Sequence, residues 1–440
     1  MKLRNTITAA TLLFASVGIA SATPLVIRIV GSNGDRVATQ TAISHLLASG
    51  WQYRGLSGAA TASNLSTATG SNFGAWNGTY NGTAVVIKTS YSGALAGISA
   101  VAGHVQSRFV VSDGTGTGNL PNPLNGTTEG TDYEQGYADF GFSTNFQSTS
   151  PFNGVFNGVT YNTVTEEIVG VSPLGFYASP GFPGDNITTQ LAQLLYTTGS
   201  VSVAQFTGNF ASDQNKIAYA IGRNTDAGQR YGAYTEIGLG TTGAIRDWKP
   251  TVSGATTASG LTFGGHVTSQ VLWPAELVSG VSSPLGGGGY SSGALVASNL
   301  TVTLDANAYK GAYLDENSQT QYLYPDATVG YYIGYATPGD TANGVLGGNG
   351  VVPLANRGVA LKYNGVALTT ANVQNGSYSL WLYNRILKPS GGVVGTTQSA
   401  FADALRDQIT NTDATSGGGL FNDSSFKVQR FTDGGLVVPK

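Results

Sequence analysis

The stretch LVIRIVGSNGD, residues 25–35, sets the expectation for the fold. Leu25–Val30 is a compact β-prone run, and residues 31–35 form a turn of small polar residues. From 38 to 48, apolar side chains recur on one side of a helix, at Ala42, Ile43, Leu46 and Leu47. The order of strand, glycine-containing turn and helix is the repeating unit of α/β proteins.

The same order recurs along the chain. Strand-like runs at 84–88, 166–171 and 217–221 are followed by helical patterns at 95–105, 186–195 and 230–237. This alternation predicts α/β layers with parallel strands. Two features are expected outside the regular elements: surface loops at the Gly/Ser/Thr/Asn-rich stretches 113–130, 280–293 and 339–350, and tight turns at the Asn-Gly pairs that begin at 77, 81, 125, 153, 157, 364 and 375.

Composition narrows the possible functions. The chain has 440 residues, which suggests two to three domain-sized units, and a hydrophobic content of 41% is enough for ordinary cores. There is no cysteine, which excludes disulfides, thiolate metal sites and a cysteine nucleophile. The net charge of −3 provides no basic field for nucleic acid or an anionic membrane surface. We predict no cofactor and no metal site.

The N-terminal 22 residues are typical of a secretory signal peptide. Lys2 and Arg4 precede the short apolar stretch 7–19, and Ala20, Ser21 and Ala22 form a small-residue cleavage site. A membrane anchor would need about 20 consecutive apolar residues, and no segment of the chain provides them. We therefore expect a periplasmic or extracellular protein that does not span a membrane, with cleavage near Ala22.

Three short motifs match known patterns without the context that their chemistry needs. Residues 289–293 fit a serine-hydrolase nucleophile elbow, but no histidine follows His266 to act as the base. Residues 238–243 fit a dinucleotide fingerprint, but a helical pattern precedes them where a strand is required. Asp305, Asn307 and Glu316 have the spacing of a calcium loop, whose obligatory glycine is replaced by Lys310. A hydrolase is thus the weakest of the functions considered.

Helix starts are the feature that points to a ligand. Arg223 and the residues up to Arg230 follow a strand and open a helix, and the segments 31–35 and 91–94 precede helices in the same way. Free backbone N–H groups and the helix dipole make such starts anion sites, and a guanidinium adds two parallel donors. The other interpretation is three ordinary N-caps, because Ser, Asn and Asp are the usual cap residues.

In sequence, the chain resembles the periplasmic phosphate-binding proteins of ABC importers. No single motif decides this, but the motifs occur in the family's order over most of the chain. The first strand and its turn are matched at 27–32, the serine-rich second turn at 91–97, the "DFGASD" segment at 138–143, the "FTG" and "GR–DSGTR" run at 206–208 and 222–230, and the "V–G–YP–W" element at 373–381.

The resemblance implies a two-lobed, periplasmic-binding-protein-like (type II) α/β fold in which each lobe is a mixed sheet flanked by helices. The expected lobes are 24–168 with 337–440, and 169–336, with the ligand in the cleft between them. The expected function is capture of a small oxyanion, first of all phosphate, by an exported solute-binding protein that is not an enzyme and has an ABC permease as partner.

Together with the helix starts, the resemblance assigns the ligand-binding residues. Arg223 would anchor the anion. The backbone N–H groups of Gly34, Asp35, Ala227, Gly228 and Gln229 would surround it. Ser92 and Ser143 would donate hydroxyl groups, and Gly93, Thr144 and Asp226 complete the predicted set.

The sequence departs from the family at several of these positions. Ala227 and Gln229 stand where the family has serine and threonine, Ala94 and Leu95 interrupt the serine-rich turn, and Thr144 replaces the acidic residue that accepts a phosphate proton. Lost hydrogen bonds of this kind lower affinity steeply. The alternative is therefore a surface or matrix protein without a transport role, which reuses the fold with a degenerate ligand site.

Overall fold

The computed structural model describes residues 23–240, 245–258, 261–273, 288–347, 350–416 and 419–440. The predicted signal peptide lies outside these residues, as do parts of the loops expected at 280–293 and 339–350 and of the 238–243 motif. Among the described helices, none has the length and apolar character needed to cross a membrane.

The strands and helices are numbered in chain order. The strands are β1 Leu25–Val30, β2 Gln52–Gly55, β3 Gly58–Ala60, β4 Phe73–Tyr80, β5 Thr83–Ser90, β6 Ser107–Phe109, β7 Glu134–Gly136, β8 Phe140–Ser143, β9 Gly154–Phe156, β10 Val159–Tyr161, β11 Val164–Pro173, β12 Gly175–Ala178, β13 Asn186–Ile187, β14 Ser200–Ser202, β15 Lys216–Ala220, β16 Trp248–Ser253, β17 Thr256–Ala258, β18 Leu261–Phe263, β19 His266–Leu272, β20 Thr303–Leu304, β21 Ala312–Leu314, β22 Thr320–Tyr322, β23 Val329–Ala336, β24 Val359–Tyr363, β25 Trp381–Pro389, β26 Val428–Gln429 and β27 Val438–Pro439. The helices are α1 Arg36–Leu46, α2 Ser66–Thr69, α3 Ala94–Ala102, α4 Thr189–Thr198, α5 Ala204–Thr207, α6 Phe210–Asp213, α7 Gly228–Glu236, α8 Gly293–Asn299, α9 Ala306–Tyr309, α10 Pro338–Asn343, α11 Thr370–Gln374, α12 Thr396–Gln408 and α13 Ala414–Ser416.

The first lobe is built on an eight-stranded sheet with the order β11-β25-β8-β1-β5-β4-β2-β3. The opening strand β1 lies near its centre, parallel to both β5 and β8. Its side chains alternate between the two faces: Ile27 and Ile29 join the core under α1 and α12, and Val30 joins the core under α3. Both faces are covered, which explains why LVIRIV is an almost continuous apolar run.

The second lobe is built on a six-stranded sheet with the order β13-β24-β12-β23-β15-β14. Phe176, Ile333 and Tyr335 face a core shared with α4 and α7, whereas Tyr219 and Tyr332 face a core shared with α8. The predicted architecture of two mixed sheets flanked by helices is confirmed. The expectation of parallel strands holds for the pairs of β1 with β5 and of β15 with β23, but β11 and β25 are antiparallel.

The pairing of three strands bears on where the chain passes between the lobes, for which 168 and 336 are the predicted boundaries. The strand β11 stays in the first sheet through Pro173, and β12 begins in the second sheet at Gly175. The strand β24, which the prediction assigned to the first lobe, pairs with β12 in the second sheet. We propose that the chain crosses at Leu174 and returns between 363 and 381.

Local predictions agree with the structure except in a few places. The helix expected at 186–195 begins later, at Thr189, because Asn186 and Ile187 form β13 and the Thr188 side chain caps the helix by accepting a hydrogen bond from the Leu191 N–H at 3.2 Å. Asn81, Asn157 and Asn364 have φ of 47°, 49° and 51°, as tight Asn-Gly hairpin turns require. The pair at 77–78 is no turn, since it lies within β4.

Gly97 is where α3 comes closest to the first sheet. A Cβ added at Gly97 would lie 2.1 Å from the backbone carbonyl oxygen of Phe142 in β8, and α3 is buried along its whole length. We expect Gly97→Ala to lower the free energy of unfolding by about 2 kcal/mol, because overpacking outweighs the gain in helix propensity. Urea denaturation measures the change. The control is Gly391→Ala, where an added Cβ has no neighbour within 4 Å; an equal effect of both variants would contradict this packing.

Candidate functional site

Three helix starts meet between the lobes and enclose a small cavity of about 20 Å³, roughly the space that one ordered water molecule needs. The starts of α1 and α3 belong to the first lobe, and the start of α7 belongs to the second. The cavity is lined by Ser32, Asn33, Gly34, Gly93, Ala94, Thr144, Ser172, Leu174, Arg223, Ala227, Gly228, Gln229, Thr337 and Leu382. The structure thus brings together the predicted residues Gly34, Gly93, Thr144, Arg223, Ala227, Gly228 and Gln229.

The small cavity adjoins a larger cleft of about 610 Å³. The two spaces share the lining residues Asn33, Gly34, Ser172, Arg223, Gln229 and Thr337. Farther out, the cleft is bordered by Arg36 and Asn72 of the first lobe and by Asp340 of the second. We call the small cavity the inner cavity and the larger space the outer cleft.

Arg223 is 4% exposed and is held in place by the protein. Its Nε donates to the carbonyl of Tyr290 at 3.0 Å, one Nη to the carbonyl of Ser291 at 3.1 Å, and the other Nη to Oε1 of Gln229 at 2.7 Å. Burial lowers the pKa of Arg223, and the charge of Asp340 opposes this. Within the described ranges, two of its five N–H groups have no acceptor.

Backbone N–H groups that could bind an anion come from α3 and α7. Those of Ala94, Gly228 and Gln229 make no hydrogen bond to any residue that the structure describes, as expected for the first turn of a helix. The predicted N–H donors at Gly34 and Asp35 are already used within their own turn. The N–H of Gly34 donates to Oγ of Ser32 at 3.0 Å, and the N–H of Asp35 donates to the carbonyl of Ser32 at 3.1 Å. The N–H of Ala227 donates to the carbonyl of Asn224 at 3.1 Å.

The lobes touch each other at this same point. The N–H of Leu95 in α3 donates to the carbonyl of Asp226 at 3.4 Å, and Nδ2 of Asn145 donates to the carbonyl of Gly228 at 3.3 Å. A Cβ added at Gly228 would lie 1.9 Å from Oγ1 of Thr144, so only glycine fits between the lobes there. Asp226 therefore serves this contact through its backbone and does not line the cavity.

Helix α7 packs against both lobes. Tyr231 joins the core of the first lobe that contains Leu95 and Leu387, while Tyr234, one turn later, joins the core of the second. Between them, Gly232 lies so close to Leu382 of β25 that an added Cβ would be 2.1 Å from it. The helix that presents Gly228 and Gln229 to the inner cavity is therefore fixed from two sides.

Three predicted residues lie behind the cavity wall. The Oγ of Ser143 accepts from the N–H of Asn145 at 3.1 Å, and Oγ of Ser92 is buried without a hydrogen-bond partner in the described structure. Asp35 is 1% exposed; its Oδ1 accepts from Nδ2 of Asn384 at 2.6 Å, and Oδ2 has no partner among the described residues. Burial raises the pKa of Asp35 from 3.8 to about 7, while the hydrogen bond from Asn384 and the charge of Arg385 work against this shift.

The structure adds residues that the sequence did not indicate, above all Asp340. Its Oδ2 accepts from Oγ1 of Thr337 at 2.7 Å and from Nε2 of Gln229 at 3.3 Å. Thr337 is the N-cap of α10 and Pro338 is its first residue, a pattern that marks a helix start directly after a strand. The predicted loop at 339–350 therefore overlaps a helix, α10, whose start the sequence analysis did not identify.

The rejected motifs have structural roles. Ser292 caps α8, its Oγ accepting from the N–H of Leu295 at 3.2 Å, and the preceding Ser291 offers its carbonyl to Arg223. Asp315, next to Glu316 of the rejected calcium-loop match, accepts from the N–H groups of Asn317 and Gln319 at 2.9 Å. Within the described ranges, no group of three or more His, Asp or Glu side chains is arranged to hold a metal ion.

Comparison with known proteins gives structural matches only. No family model and no curated protein matches the sequence. Among solved structures, a putative phosphate ABC transporter substrate-binding protein from Clostridium perfringens with bound phosphate has a TM-score of 0.37 at 12% identity, covering 88% of this chain and 97% of that one. An ABC-type phosphate transport receptor from Vibrio cholerae has a TM-score of 0.41 at 12% identity, covering 90% and 99%. A possible phosphate-binding protein from Planctomyces limnophilus has a TM-score of 0.35 at 10% identity, covering 88% and 99%. The chain is thus similar over most of its length to solved phosphate-binding proteins.

Proposed function

We propose that the protein is an exported solute-binding protein that captures a small oxyanion, first of all phosphate, between its two lobes. The observation that carries the proposal is the convergence of three backbone N–H groups with the guanidinium of Arg223 around one cavity. These N–H groups, of Ala94, Gly228 and Gln229, have no acceptor among the described residues. The proposal includes a periplasmic or extracellular location and an ABC permease as partner, and it assigns no catalytic step.

The electrostatics of the cavity suit an anion although the protein as a whole carries a net charge of −3. The starts of α3 and α7 both direct the positive ends of their helix dipoles to this point. Arg223 supplies a full charge in a place where water is largely excluded, which strengthens its interaction with a ligand. Its protein partners hold the guanidinium in one orientation, so little entropy is lost on binding.

The proposal is tested by the affinity of Arg223 variants for phosphate. Isothermal titration calorimetry should show a dissociation constant raised about 10- to 100-fold by Arg223→Ala, because hydrogen bonds to a charged group are lost. The dissociation constant of Arg223→Lys should fall between those of the wild type and Arg223→Ala, since lysine keeps the charge but lacks the planar guanidinium. The control is Arg54→Ala, whose Nε donates to the carbonyl of Gly118 at 3.0 Å at an exposed site. Equal phosphate affinity in wild type and Arg223→Ala would overturn the proposal.

The second candidate is a surface or matrix protein with a degenerate ligand site. It is favoured because several donors that a ligand would need already donate to acceptors within the protein. These donors are three N–H groups of Arg223 and the backbone N–H groups of Gly34 and Asp35. A ligand that binds the native state raises the melting temperature. Under this second candidate, neither phosphate nor sulfate would do so, and the protein would self-associate instead.

A further inference from the structure

We infer that the ligand is an oxyanion ester with a hydroxyl-bearing body, of the sugar phosphate class: its oxyanion would lie at Arg223 and its body in the outer cleft. This inference rests on the proposed function and goes beyond it, because it names a ligand larger than a free inorganic ion.

The first argument is space. The inner cavity holds about 20 Å³, whereas the outer cleft beside it holds about 610 Å³, within the usual range for organic ligands. Arg223 and Gln229 line both spaces. A group bound to Arg223 would therefore lie beside a space large enough for an organic body attached to it.

The second argument is the chemistry of the outer cleft. Arg36 of the first lobe is fixed by its Nε, which donates to the carbonyl of Thr69 at 2.8 Å, and by an Nη that donates to Asn72. Asp340 lies across the cleft, near enough that its charge partly offsets the lowering of the pKa of Arg36 by burial. Thr337 and Gln229 both donate hydrogen bonds to Oδ2 of Asp340, whereas Oδ1 has no hydrogen-bond partner in the described part of the chain.

These groups favour a hydroxyl-rich body over a second anion. A free carboxylate oxygen is a strong acceptor for a hydroxyl donor and repels further negative charge. Two arginines and one aspartate leave one net positive charge in the cleft, which one oxyanion group can compensate. The side chains of Asn33 and Asn72 lie on the opposite wall and can bind further hydroxyls.

Calorimetry with inorganic phosphate, glucose 6-phosphate and glucose tests the inference. Glucose 6-phosphate should bind the wild type at least 10-fold more tightly than inorganic phosphate, and glucose alone should bind far more weakly than either. Asp340→Asn should weaken glucose 6-phosphate binding about 10-fold and change phosphate binding less than 3-fold. Asp185→Asn, at a carboxylate outside the cleft whose side chain is 74% exposed, is the matched control.

The outcomes separate the inference from the proposed function. If inorganic phosphate binds as tightly as glucose 6-phosphate, or if Asp340→Asn weakens both equally, the inference is overturned and the oxyanion function stands. If neither phosphate compound binds, or if glucose alone binds as tightly as its phosphate, both are overturned. Unfolding curves of Asp340→Asn guard against a folding defect at α10, and Asp340→Glu, which keeps the carboxylate, should restore part of the affinity for glucose 6-phosphate.

Discussion

Gly228→Ala is expected to weaken oxyanion binding at least 100-fold while leaving each lobe folded. The added methyl group would lie 1.9 Å from Oγ1 of Thr144, 2.6 Å from Oδ1 of Asn145 and 2.7 Å from Cβ of Ala94. All three belong to the first lobe, whereas Gly228 opens α7 on the second. The methyl group therefore pushes the lobes apart and separates Ala94 from Gln229, so the donors no longer surround one point.

Two measurements distinguish this effect from a loss of stability. Calorimetry gives the dissociation constant, and small-angle scattering should show a larger radius of gyration. Urea denaturation should show both lobes still folded, with a loss of stability no larger than that of the contacts between them, because alanine is a better helix residue than glycine and φ at Gly228 is not in the left-handed region. Gly391→Ala is the control, since Gly391 lines neither space and an added Cβ there has no neighbour within 4 Å. An unchanged dissociation constant for Gly228→Ala would mean that lobe contact is not needed for binding.

Asp35→Asn is expected to change how stability depends on pH. The folded protein holds the Asp35 proton until the pH reaches about 7, whereas the unfolded chain releases it near 3.8. The wild type therefore loses stability as the pH rises from about 4 to about 7, by roughly 4 kcal/mol from this group alone. The asparagine variant has no proton to release, so relative to the wild type it should become more stable over the same interval.

Urea denaturation of both proteins at several pH values between 4 and 8 measures the difference. Other buried carboxyl groups titrate in the wild type and the variant alike, so their contribution cancels in the comparison. Asp326→Asn, at an exposed aspartate, is the control, and its free energy of unfolding should depend on pH as that of the wild type does. If the free energy of unfolding of Asp35→Asn also follows the wild type, Asp35 is ionised in the folded protein at pH 5, and burial does not govern its titration.

The fold could be predicted largely from apolar runs and glycine turns. Strand β1 was found with its observed limits because both of its faces are buried and the turn that follows is sharp. The crossing that we propose at Leu174 has no signal in the sequence, because one residue separates β11 from β12 and no break in composition marks it. The strand β24 was missed because it has only five residues and one of its two exposed positions holds alanine, which obscures the alternation of apolar and polar residues. Such a short half-buried strand gives a weak pattern.

The candidate site was predictable where backbone geometry determines it. The starts of α1, α3 and α7 were found because small residues follow strands there. The use of the Gly34 N–H by Ser32 reflects a common local turn, since serine often bonds the backbone two residues on. The position of Asp340 could not be deduced, because it depends on how α10 of the second lobe faces Arg36 of the first.

The packing of α7 ties ligand exchange to movement of a single aromatic ring. Opening the lobes would pull Tyr231 out of the first lobe's core, where it is 8% exposed, and leave its apolar surface in water. This cost slows opening, and it therefore slows the entry and the release of a ligand in the inner cavity alike. A bound molecule would accordingly have a long residence time without a matching gain in affinity.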